Sequence, residues 1–97
     1  MSYPQPVDRV YVALYQSVSK LDMKIVSDNP SAGCLIAHNS HSFATDGEDI
    51  TVNVAPLPTG GTAATVQSRC TSTQQIFDFG KNKKNVNKIF EGAQAYL

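Results

Sequence analysis

Residues Glu48 to Arg69 read EDITVNVAPLPTGGTAATVQSR, and the way this stretch folds back on itself decides the fold. Ile50, Val52 and Val54 alternate with Thr51, Asn53 and Ala55, the two-residue period of a strand with one buried face. Pro56-Leu57-Pro58-Thr59-Gly60-Gly61 interrupts the ladder, because proline brings no amide donor and glycine tolerates positive φ. β-branched residues return at Thr62, Thr65 and Val66, so the stretch is read as a β-hairpin. Two strands alone are only marginally stable in water, and their apolar face must be covered by the rest of the chain.

Upstream, Val7, Val10, Tyr11, Leu14, Val18 and Leu21 recur at three- and four-residue steps, while Asp8, Arg9, Gln16 and Lys20 fall largely opposite. That pattern predicts an amphipathic helix from Val7 to Leu21, entered through Pro6. Met23 to Val26 and Cys34 to His38 read as two further strands, joined through the turn cluster Asp28-Asn29-Pro30-Ser31-Ala32-Gly33. A polar segment then leads through Asp46-Gly47 into the hairpin. Downstream of Arg69, Ile76, Phe77 and Phe79 are apolar enough to pack under the last strand. A second helix is predicted to begin near Gly80 to Asn82, with Val86, Ile89, Phe90, Ala93, Tyr96 and Leu97 on one face. Asp78 stands where a carboxylate can accept from a free amide at that helix start.

The predicted order is therefore helix, four strands, helix, and all strand connections are short. The expected fold is α+β: a two-layer sandwich in which two helices cover one face of a four-stranded antiparallel meander. Leu35, Ala37, Val52 and Val54 face the helices, and Thr51, Asn53, Gln67 and Arg69 face away. Cys34 and Ile36 either join that outer face as an apolar patch or, in a register one residue different, are buried. The 97 residues make one domain.

Composition limits what such a domain does. Eight basic and eight acidic residues leave no net charge, against the basic excess usual in nucleic-acid-binding domains. No apolar run approaches the roughly 20 residues of a membrane-spanning helix. The opening Met1-Ser2-Tyr3-Pro4-Gln5-Pro6 has neither a basic nor an apolar leader region. A cytoplasmic location is expected, or a periplasmic one if the chain is trimmed from a longer precursor.

Cys34, His38 and His41, with Cys70 further on, invite a metal reading, since zinc takes thiolate and imidazole ligands. The spacing argues against it: on one strand Cys34 and His38 stand about 13 Å apart, at ~3.3 Å per residue. A Cys34–Cys70 disulfide is disfavoured, because a meander places the two near opposite ends of different strands. A nucleophilic Cys70 needs a base within hydrogen-bond reach, and nothing in the sequence positions His41 there. No metal, cofactor or catalytic residue is assigned. Asp78-Phe79-Gly80 matches a kinase metal motif in three letters only, without the loops or length of a kinase; Gly80 is expected to allow close approach to the sheet. Gly80, Lys81, Asn82, Lys83 and Lys84 form a candidate anion seat, where free helix amides and ammonium groups converge, set against the ordinary reading of a solvated helix face.

Several stretches together carry a resemblance: Val7-Asp8-Arg9-Val10-Tyr11, Gly33-Cys34-Leu35-Ile36-Ala37, Ile50-Thr51-Val52-Asn53-Val54, Thr65-Val66-Gln67-Ser68-Arg69 and Asp78-Phe79-Gly80-Lys81-Asn82. In this order they resemble the small bacterial α+β domains of unknown function, stand-alone or lipoprotein-type, with a Gly-x-Ile-x-Ala strand and an Asp-x-Gly-x-Asn lead into the last helix. The resemblance implies the sandwich and no catalytic residues. The functional expectation is a non-enzymatic module that binds a protein partner, or a second copy of itself, through the open sheet face or an edge strand. The alternative is a small-ligand or lipid binder with a pocket lined by Leu14, Val52, Val66 and Phe90.

Overall fold

Alternation along the central strands sets the architecture of the computed structural model, which describes residues 1–40, 47–71 and 80–97. The elements are β1 (Ser2–Tyr3), α1 (Val7–Lys20), β2 (Lys24–Asn29), β3 (Cys34–Asn39), β4 (Glu48–Pro56), β5 (Thr62–Cys70), α2 (Lys81–Ala93) and a final 3-10 turn (Gln94–Tyr96). β4 and β5 are the predicted hairpin, with Val52 opposite Val66 and Pro56 opposite Thr62. The amide of Leu57 donates to the Gly61 carbonyl, closing the connection between them.

The sheet order is β1-β5-β4-β3-β2, and every neighbouring pair is antiparallel. The expected four-stranded meander is therefore corrected to five strands, with a strand ahead of the first helix. Ser2 and Tyr3 pair with Ala63 and Thr62, and the Ala64 amide donates to the Met1 carbonyl. Pro4 supplies no donor and ends this strand after two residues, too few to show a period.

One sheet face is apolar and covered. Leu35, Ala37, Ile50, Val52, Val54 and Ala64 are buried against Val10, Leu14 and Val18 of α1 and Ile89 and Ala93 of α2. The helices also pack on each other: the buried Ser17 hydroxyl of α1 donates to the Ile89 carbonyl of α2 at 2.6 Å. Gly92 permits that closeness, since a Cβ there would stand 2.5 Å from Ser17 Oγ. Among the described residues, no element lies over the other sheet face, and no helix is long and apolar enough to cross a membrane.

Candidate functional site

The outer face is ordered in rows across the strands. At one end Lys24, His38, Asp49 and Arg69 lie side by side; the next row is Ser27, Ile36, Thr51 and Gln67; the third is Asn29, Cys34, Asn53 and Thr65. The observed register points Cys34 and Ile36 outward, both half-buried, while Leu35 and Ala37 between them are buried. His38 Nδ1 lies 2.9 Å from Asp49 Oδ1 and 3.5 Å from the Thr71 hydroxyl. Both contacts fall on the same ring nitrogen.

The covered face ends in a polar cluster that the sequence reading missed. Glu48 is 1% exposed, and its Oε1 accepts from the Asn39 side-chain amide at 3.2 Å and from that of Asn85 at 2.9 Å. Asn39 also donates to Asn85 Oδ1, and Asn85 to Ser68 Oγ, so each amide uses both of its hydrogens. The Ser68 hydroxyl donates to Asn82 Oδ1 at 2.6 Å, and Asn82 Nδ2 lies 3.5 Å from Cys70 Sγ. Three strands and the first turns of α2 are thereby laced together. The Ser68 proton is aimed at an amide oxygen rather than at the Glu48 carboxylate.

This cluster also accounts for one member of the candidate anion seat. Gly80 is the N-cap of α2 in the left-handed region (φ +77°), Lys81 is the first helical residue, and Lys83 and Lys84 are exposed. Asn82 bonds to Ser68 and lies near Cys70. Gly80 is required by its φ; among the described residues nothing lies within 4 Å of where its Cβ would be, which corrects the expected close approach to the sheet. Asp78, Phe79 and His41 lie outside the described residues. Cys34 and Cys70 are free thiols on opposite faces, in rows at opposite ends of the sheet.

The four residues expected to line a ligand pocket belong to the core or pack against it. Leu14 and Val52 are fully buried, with Val66 and Phe90 against the same core. A groove of about 280 Å³ opens elsewhere, on the flank of α1 that faces β2, lined by Tyr11, Val12, Tyr15, Gln16, Asp28 and Pro30. Comparison of the sequence with protein-family models and with curated proteins gives no match.

Proposed function

We propose that this protein is a non-enzymatic interaction module that binds a protein partner through the uncovered face of its sheet. The observation that carries this reading is the placement of both helices on one side, which among the described residues leaves three ordered rows of side chains on the other face, around Ile36. The rows mix hydrogen-bonding groups with a small apolar centre, and the charged row sits at one end. Such a surface favours a partner matched in shape and hydrogen bonding over one drawn in by a strong field.

Strand addition at an edge is the weaker form of the same idea. Edge strand β2 carries an irregularity in its register between Ile25 and Ser27 and begins with an exposed lysine, two features that blunt pairing with another chain. The opposite edge, β1, offers two residues.

The test is capture of a partner by the folded domain, followed by purification of that partner and direct titration with variants. Ile36→Glu and Thr51→Lys are expected to abolish binding without lowering the melting temperature. Lys83→Glu with Lys84→Glu is expected to leave it intact. Binding that survives both face substitutions would refute this reading, and loss confined to the lysine reversal would move the contact to the start of α2.

A further inference from the structure

The groove beside α1 combines three features that nothing in the proposed sheet-face interaction uses. Its walls are apolar and aromatic, formed by Tyr11, Tyr15, Val12 and Pro30, and Val12 remains 54% exposed at its rim. A carboxylate stands in it: Asp28 Oδ1 accepts the Tyr11 hydroxyl at 2.6 Å, and that hydroxyl also lies 3.3 Å from the Cys34 carbonyl. Among the described residues, no cationic side chain pairs with Asp28. The Tyr11 hydroxyl is thus held as a donor, which fixes both the ring and the carboxylate.

An unneutralised carboxylate beside tyrosine rings attracts one chemical class above others. A carboxylate repels anions and gains nothing from a neutral apolar group. A cation is drawn by its charge, and alkyl groups around that cation match the apolar and aromatic walls. We infer that the groove between α1 and β2 binds a small, free organic ammonium ion, its charged end toward Asp28 and its alkyl groups against Tyr11, Tyr15 and Val12.

Choline and its uncharged carbon isostere, 3,3-dimethylbutan-1-ol, differ in the central atom and its charge, so the pair isolates the electrostatic contribution. Each is titrated into the full ¹⁵N-labelled chain. Choline is expected to give saturable amide shifts at Tyr11, Val12, Tyr15, Gln16 and Asp28, and the isostere to bind roughly tenfold more weakly, the scale of one favourable contact between a cation and a carboxylate. Asp28→Asn keeps an oxygen to accept from Tyr11, so it preserves the groove while removing the charge; it is expected to reduce choline binding by a similar factor. Equal binding of choline and the alcohol, shifts that map elsewhere, or no saturable shift with the unaltered chain would each overturn the inference. A trimethyllysine peptide that binds tenfold more tightly than choline would overturn the assignment to a free small molecule.

Discussion

The helix–helix contact at Gly92 and Ser17 gives the sharpest test of the packing that holds the sheet face in place. Replacing Gly92 by Ala puts a methyl group 2.5 Å from Ser17 Oγ and 3.4 Å from Ser17 Cβ. The hydroxyl must then rotate away from the Ile89 carbonyl it donates to, or the helices must separate. Losing a buried hydrogen bond and overpacking the interface each cost about 1–3 kcal/mol, against a gain of about 1 kcal/mol in helix propensity. Gly92→Ala is therefore expected to destabilise the domain by about 2 kcal/mol, a fall of roughly 10 °C in Tm for a chain of this size.

Ser17→Ala alone removes the hydrogen bond and leaves the glycine, at a cost of about 1 kcal/mol. In the double variant the colliding oxygen is absent and the two methyl groups meet at ordinary contact, so the propensity gain survives. Its stability should lie within about 1 kcal/mol of the parent, a coupling of about −3 kcal/mol between the sites. Urea unfolding followed by circular dichroism on the four chains measures this directly. Additive single effects, or a Gly92→Ala chain as stable as the parent, would refute the close crossing of α1 and α2.

Three further outcomes follow from single residues. Glu48→Gln keeps an oxygen for Asn39 and Asn85 and should cost about 1 kcal/mol, whereas Glu48→Ala strands a buried donor on each and should cost about 3 kcal/mol or more, read by urea unfolding. Burial and the bond to Asp28 raise the Tyr11 hydroxyl well above the ordinary tyrosine range, and burial raises Tyr3. The folded chain then keeps protons that the unfolded chain releases above about pH 10, so stability is full below that pH and falls above it; absorbance at 295 nm should show these tyrosines ionising late, with a shallower alkaline loss in Tyr11→Phe. Gly33→Ala should destabilise by more than about 2 kcal/mol, because φ is +65° and the new Cβ would meet the Val54 carbonyl oxygen at 2.3 Å, so a thermal melt at parental temperature would contradict the turn.

Strand period was the most informative feature of the sequence, and it held further than residue identity suggested. Residues 50, 52 and 54 fixed the covered face of β4, and 35 and 37 that of β3. Continuing the same count places Glu48 and Asn39 inside as well, beside each other in the pairing of the two strands. Their polarity hides that phase, because charged and amide side chains are seldom found in a core. Asn85 stands four residues before the buried Ile89 on α2, in helical phase with it, and supplies the amide that makes a buried carboxylate tolerable. A polar residue in phase with a core is thus a prediction that a second one, in phase on the facing element, will meet it. The groove had no such signal, because Tyr11 and Tyr15 read equally well as core-edge residues. Their meeting with Asp28 is a tertiary contact between α1 and β2, which no local pattern in either element encodes.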